Sequence, residues 1–457
     1  MKRLRTWFIG ICILGFACAA QAASVKNVIW VIGDGMGPEI LGFWMQGARY
    51  ANLTDVPSVS YTEQLMNQGV WGLFFNNTYD TVVTDSAAAA TQMATGKWSR
   101  PLFIGIDYNK TPAPTLLEVA REHGKAVGIV SDTYVTDATP AAFTAHTDTR
   151  RQKYEIAQQQ IEFAPQVILG GGLRYFTEKE NKGLLRKARQ KGYRVVQNKK
   201  QLGKLTSGKV LGLFADQAMP MNVEMYQHPT VPTLTEMAQK AITLLEQNKD
   251  GFVLMVEAGK IDWAAHGNDP GSLWAEMRSF DKLIQYVTQY VAEHPDTLLY
   301  INADHDTGLG GFMYQHLDKK QAAQKTAQGE VLYDKNTDYA SFNTYHSFEK
   351  QKRCLYYVCE EIKALPQEKR TRQEVQRRFS EALAEPTDLS QVNDVENTEE
   401  VLHTLNTQRG VSYATATHSS APLISIAYGP GAENFAGVYH NTDIFHRMMK
   451  ALNWVGK

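Results

Sequence analysis

The stretch Val28-Ile-Trp-Val-Ile-Gly33-Asp34-Gly-Met-Gly-Pro38 decides the fold. An apolar, largely β-branched run bounded by glycine makes a strand buried on both faces, the kind found in parallel sheets covered by helices. The strand runs into Asp34, a carboxylate at its C-terminal end to which the neighbouring glycines give close access. On its own Asp34 reads either as a ligand or as a turn aspartate. A dinucleotide fingerprint needs glycine where Pro38 stands and an acid on a second strand, so nicotinamide binding is excluded.

Working outward, the same design recurs twice. Phe252-Val-Leu-Met-Val256 ends in Glu257, and Thr297-Leu-Leu-Tyr-Ile301 runs through Asn302-Ala303 into Asp304-His305. Further strands are expected over 126–130, 166–170 and 422–428, and helices over 115–123 and 234–247. Strand and helix in alternation predict an α/β fold, a three-layer sandwich with a central, mostly parallel β-sheet flanked by helices. Ligands of such sheets gather beyond the carboxyl ends of the strands, where Asp34, Glu257, Asp304 and His305 would all point. Asp262 and His266, four residues apart, share one face if their segment is helical, and a carboxylate and an imidazole so placed can clamp one zinc.

A second stretch, Thr81-Val-Val-Thr-Asp85-Ser86-Ala-Ala-Ala-Ala-Thr91-Gln-Met-Ala-Thr95-Gly96, reads as a serine at a helix start. Asp85 or Ser86 is the N-cap, the alanines carry the helix and Gly96 closes it. There the Ser86 hydroxyl meets backbone N–H groups and the positive end of the macrodipole, which favour an anion. Alone, this is as well explained by capping. In Thr136-Asp137-Ala-Thr139-Pro-Ala-Ala-Phe-Thr-Ala-His146-Thr-Asp-Thr-Arg150-Arg151, Asp137 and Thr139 offer hard oxygen donors and the arginines offer phosphate-binding forks. The plainer reading is a helix start with surface charge.

Composition narrows the function classes. With 47 Lys and Arg against 48 Asp and Glu in 457 residues, charge is nearly balanced, and nothing points to nucleic acid or an acidic membrane as partner. Lys2, Arg3 and Arg5, an apolar run over 7–19 and Ala20-Gln21-Ala22 read as a signal peptide over 1–22, too short to span a membrane. Its removal takes three positive charges and moves the formal charge from −1 to −4. A periplasmic or secreted protein with no membrane span after cleavage is expected. Cys12 and Cys18 leave with the signal; Cys354 and Cys359 stand five apart, on different faces of a regular helix, so a disulfide between them requires an irregular loop. Zinc held by thiolates is not expected without a C-x-x-C pattern. The rest, 23–457, reads as one catalytic domain with an insertion at about 312–410, over the site or at a dimer contact, whose Tyr314, Tyr333, Tyr339, Phe342 and Tyr345 are available to line a mouth. Residues 367–383 read as a solvated helix. A homodimer is expected.

Asp-Ser-Ala-Ala at 85–88, Asp-Ala-Thr-Pro-Ala-Ala at 137–142, Val-Glu-Ala-Gly-Lys-Ile-Asp at 256–262 with His266 following, Ala-Asp-His at 303–305, and His418 ahead of Ala-Tyr-Gly-Pro occur in this order. In that series the chain resembles the alkaline phosphatases, over nearly the whole mature length. The resemblance implies hydrolysis of small-molecule phosphate monoesters through a phosphoserine on Ser86. It implies one zinc at Asp262, His266 and His418, and a second at Asp34, Asp304 and His305 beside Ser86, which would bind it as an alkoxide; the two would lie about 4 Å apart. Magnesium would sit among Asp34, Thr139 and Glu257, with Asp137 a further oxygen donor nearby. Arg150 would grip two phosphate oxygens. The chain departs from the family at Trp263, where other members carry lysine or histidine. Rival readings are a sulfatase or phosphodiesterase of the same superfamily, or a secreted phosphate- or metal-binding protein. A sulfatase needs C/S-x-P-x-R, and alanines follow Ser86; a diesterase usually presents threonine.

Overall fold

Every residue of β1 (Asn27–Gly33) is buried, as its apolar run requires. The computed structural model describes residues 24–312 and 340–454, so the segment 1–22 expected to be a signal peptide and Tyr314, Tyr333 and Tyr339 lie outside the described residues. The strands that follow are β2 (Val70–Phe75), β3 (Ala126–Tyr134), β4 (Val167–Gly171), β5 (Tyr193–Val196), β6 (Lys209–Leu213), β7 (Phe252–Ala258) and β8 (Thr297–Ala303). After them come β9 (Asp306–Thr307), β10 (Gly310–Phe312), β11 (Val411–Tyr413), β12 (His418–Ser419), β13 (Leu423–Tyr428) and β14 (Gly437–His440).

Ten of these form one sheet in the order β14-β2-β13-β8-β1-β7-β3-β4-β6-β5. Only β13 runs antiparallel to its neighbours, so the sheet is mostly parallel, with helices over its faces as expected. Fully burying a Val, Leu or Ile side chain contributes about 1.5–3 kcal/mol, and β1, β7 and β8 bury ten of them. Polar side chains inside the sheet are paired: the Trp30 indole N–H donates to Asn302 Oδ1 at 2.6 Å, joining β1 to β8. Trp30 also meets the Phe143 ring edge-on at 5.1 Å. Two small antiparallel pairs, β9 with β12 and β10 with β11, fold the chain after β8 back beside the stretch that carries His418.

Several readings of the insertion change. Helices Leu355–Ala364, Arg372–Leu383 and Thr398–Gln408 surround a small core of their own, separate from the main one. The segment read as a solvated helix buries Val375, Phe379, Ala382 and Leu383 in it; charge on the other face masked this stripe. Tyr345 lines no mouth: it is 1% exposed, packed among Phe43, Trp274 and Phe348, and its hydroxyl donates to Phe43 O. The Phe342 ring lies 5.2 Å from that of Tyr50, tilted by 38°. Cys354 and Cys359 are buried free thiols, one capping and one inside the helix Leu355–Ala364. Among the described residues no helix is long and apolar enough to cross a membrane.

Candidate active site

Register places the first acids. Gly33 of β1 lies opposite Ala258 of β7 and Ala303 of β8, so Asp34 and Asp304 leave the sheet side by side, with Glu257 one residue before the end of β7. The turn after β1 is tight: Gly35 has φ +70°, and its N–H donates to Asp304 Oδ1 at 3.0 Å. A Cβ there would lie 2.9 Å from the Asp262 backbone and carboxylate, so only glycine lets these chains approach. The helix Ser86–Thr95 is buried at every residue, and its small side chains pack against Ala138, Ala141 and Ala145. Asp85, not Ser86, is its N-cap, accepting from the Ala88 N–H at 3.1 Å, and Gly96 ends it with φ +68°. Ser86 therefore stands first in the helix, 3% exposed, its Oγ 3.1 Å from His305 Nε2.

Around that nitrogen three acceptors converge: Ser86 Oγ, Asp34 Oδ1 at 3.4 Å and Asp304 Oδ2 at 3.3 Å. One imidazole nitrogen cannot donate to all three, and neither carboxylate oxygen has a hydrogen bond among the described residues although both are buried. Burial holds His305 well below the usual imidazole range, with the His418, His266 and Arg150 charges adding to it, so the ring is neutral and its lone pair free. Burial likewise raises Asp304 to about 7 and raises Asp34, whose shift Asp304, Asp262 and Glu257 increase. Such a crowd of buried acids beside neutral imidazole fits a divalent cation, which replaces the missing donors.

A second group adjoins it. His266 Nε2 lies 3.1 Å from His418 Nε2 and 3.3 Å from Asp262 Oδ1, and His418 Nε2 lies 3.7 Å from that oxygen. The helix Lys260–His266 supplies the predicted i, i+4 pair, and β12 brings in His418 from 152 residues away. The far nitrogens are tethered, His266 Nδ1 to Ala416 O at 2.7 Å and His418 Nδ1 to Thr84 O at 2.8 Å, which fixes Nε2 as the free ligand atom. The structure thus gathers donor atoms of Asp262, His305 and His418, and of Asp34, Asp304 and His305, within 4.8 Å of one another. A cleft of about 500 Å³ opens beside His266, walled by Tyr356 and His403 of the insertion and by Tyr413 of β11.

The oxygen-rich corner differs from these. Glu257 is raised to about 8 by burial, and Ser131 Oγ and Thr133 Oγ1 donate to its Oε2. Thr139 Oγ1 is buried without a hydrogen bond among the described residues. Asp137 caps the short helix Ala138–Ala142, as the plainer sequence reading had it, but its Oδ1 also faces Arg150 Nη2 at 3.4 Å and Lys153 Nζ at 3.3 Å. Arg150 Nη1 reaches Asp85 Oδ2 at 3.3 Å and Ser86 Oγ at 3.5 Å, whereas Arg151 is exposed. Sequence reading missed Lys153, Asp85 as the partner of Arg150, and Thr307. The Thr307 hydroxyl bridges Asp262 Oδ1 at 2.6 Å and His305 Nδ1 at 3.2 Å. Lys153 and Asp85 carry no local signal, since each works through a partner far off in sequence, and the Thr307 contact with His305 acquires its role only through Asp262, 45 residues away.

Comparison with known proteins gives this geometry its context. The family profile described as alkaline phosphatase matches residues 25–454. The chain belongs to the alkaline phosphatase family. It is 31% identical over 441 residues to alkaline phosphatase 3 of Bacillus subtilis, covering 94% of this chain and 89% of that one. The crystal structure of a cold-active alkaline phosphatase from a psychrophilic Shewanella species superposes with a TM-score of 0.76 at 30% identity, over 93% of this chain and 99% of that one. That of Thermus thermophilus alkaline phosphatase gives a TM-score of 0.81 at 26% identity, over 94% and 93%. An alkaline phosphatase is a metal-dependent phosphomonoester hydrolase, and the two clusters of donors at the sheet end are this chain's candidate metal-binding groups.

Proposed function

We propose that the chain hydrolyses phosphate monoesters in two displacements at one centre, with Ser86 as nucleophile and a phosphoserine between them. The observation that carries this reading is the Ser86 hydroxyl, first in a buried helix, within 3.5 Å of both His305 Nε2 and Arg150 Nη1. The donor sets suit zinc at Asp262, His266 and His418, zinc at Asp34, Asp304 and His305, and magnesium among Asp34, Thr139 and Glu257 beside Asp137. Bound there, the cations supply Lewis-acid stabilisation of the alkoxide and of the leaving oxygen.

The chain's own part is positional. The Ser86 helix aims its free N–H groups and dipole at the phosphoryl group. Arg150 binds two phosphoryl oxygens from the side. Thr307 and the carbonyls of Ala416 and Thr84 hold the three imidazoles in orientation. Export by residues 1–22 and assembly as a homodimer belong to the same reading, and the exposed Trp71, Phe75 and Val438 supply apolar surface for a second copy to cover.

Purified protein given a chromogenic monoester, the matching sulfate ester and a diester tests the reading. Monoester turnover at least tenfold above the other two, lost on chelation and restored by zinc, is the expected result. Preference for sulfate or diester returns the function to the rival enzymes, and binding of phosphate without turnover returns it to a binding protein.

A further inference from the structure

Lys153 stands first in the helix Lys153–Phe163, where the macrodipole disfavours a cation. Tertiary contacts hold its ammonium there. It lies 4.0 Å from the centre of the Tyr134 ring and 5.7 Å from that of Tyr175, cation–π distances that compensate a half-buried charge. It also lies 3.3 Å from Asp137 Oδ1, the oxygen that Arg150 Nη2 approaches at 3.4 Å. Asp137 is only 8% exposed, so little water screens the three groups from one another.

The formal charges decide what this does. Arg150 sits between Asp85 and Asp137, so without Lys153 one guanidinium would face two carboxylates. That corner, beside the nucleophile, would carry −1 and repel a phosphoryl dianion; with Lys153 it is neutral. Trp263 cannot supply the charge, and its ring lies 6.0 Å from that of Tyr134. Lys260 faces the other way, buried against the Met219 carbonyl. Burial pushes the Asp137 carboxyl up, but Lys153 first and then Arg150 more than offset this and keep it below the usual range.

We propose that Lys153 is a positioning residue for phosphoryl binding, which engages Asp137 and balances its charge so that the Arg150 fork is free for the dianion of a monoester. The inference rests on the reading of Ser86 and Arg150 given above. Because a Coulomb term scales with ligand charge, Lys153 also favours monoesters over singly charged diesters.

The test uses metal-loaded enzyme carrying Lys153→Met, with Lys153→Gln in its place if the first does not fold, and Lys153→Arg as the conservative variant. KM for a chromogenic monoester and the inhibition constant of inorganic phosphate should both rise about tenfold in Lys153→Met, kcat should change less than about threefold, and diester kcat/KM should fall only about threefold. Lys153→Arg should restore phosphate inhibition. Unchanged phosphate inhibition in a variant with the parent's thermal midpoint overturns the inference, as does an equal loss for monoester and diester. Absence of monoester turnover in the unmutated enzyme would instead overturn the reading beneath it.

Discussion

Arg150 and Arg151 are neighbours with opposite surroundings, which makes them the sharpest pair to compare. Arg150 is held between Asp85 and Asp137 with one nitrogen 3.5 Å from Ser86 Oγ, while Arg151 is exposed. A fork that binds phosphate in ground and transition states alike contributes about 1.5–3 kcal/mol per charge-assisted bond. Arg150→Ala should therefore weaken inhibition by inorganic phosphate roughly 10- to 100-fold, with a smaller loss in kcat, and Arg151→Ala should leave both unchanged. The reverse pattern would shift the phosphate site by one residue. Asp137 shows where sequence reading runs out: its carboxylate was legible as a helix cap or as an oxygen donor, but its engagement by Lys153 depends on a helix start 16 residues on.

At the scale of elements, the Ser86 helix depends on one cap. Asp85 accepts from the Ala88 N–H at 3.1 Å and from the Leu102 N–H at 3.2 Å, and also faces Arg150. Asp85→Ala should cost about 1–2 kcal/mol in denaturant unfolding, whereas Asp85→Asn, an equally good cap, should cost less than about 0.5 kcal/mol. Equal costs would place the role of Asp85 in its charge and not in capping. The central strands were legible because burial on both faces leaves unbroken apolar runs, and the acids that follow were legible as a group because the pattern recurs three times, although each alone reads equally as a turn residue. The convergence of His418 on His266 was not legible in spacing, because β9 and β12 make it by pairing across 111 residues. The segment 367–383 was misread as solvated because its helix buries a narrow stripe in a small core, and Tyr345 because an aromatic among polar residues looks exposed until Phe43 and Trp274 enclose it.

The whole molecule keeps a second buried polar cluster behind the site. Lys260 is fully buried, and Glu276 accepts from the Asn222 backbone N–H at 2.7 Å. Burial, then repulsion from Asp132, raises Glu276 to about 7, while burial raises Asp132 to about 6. A folded-state pKa above the unfolded value means that the native state binds more protons, so the stability from Glu276 is present below about pH 4.5 and is lost as pH rises to about 7. At about 1.4 kcal/mol per unit, the loss is on the order of 3 kcal/mol. Glu276→Gln should flatten the fall in unfolding free energy across that window, and an unchanged slope would place the titration elsewhere. Cations bound to the native state alone raise its stability, so chelation should lower the thermal midpoint as it abolishes turnover, and zinc should restore both. Above all these stands the covalent route through Ser86. Turnover of a monoester made chiral at phosphorus, with an alcohol as acceptor and acid-quenched samples mapped for phosphate, tests it most directly. Two displacements predict retention of configuration and phosphate on Ser86, both lost in Ser86→Ala; inversion with no phosphate on Ser86 would contradict the account.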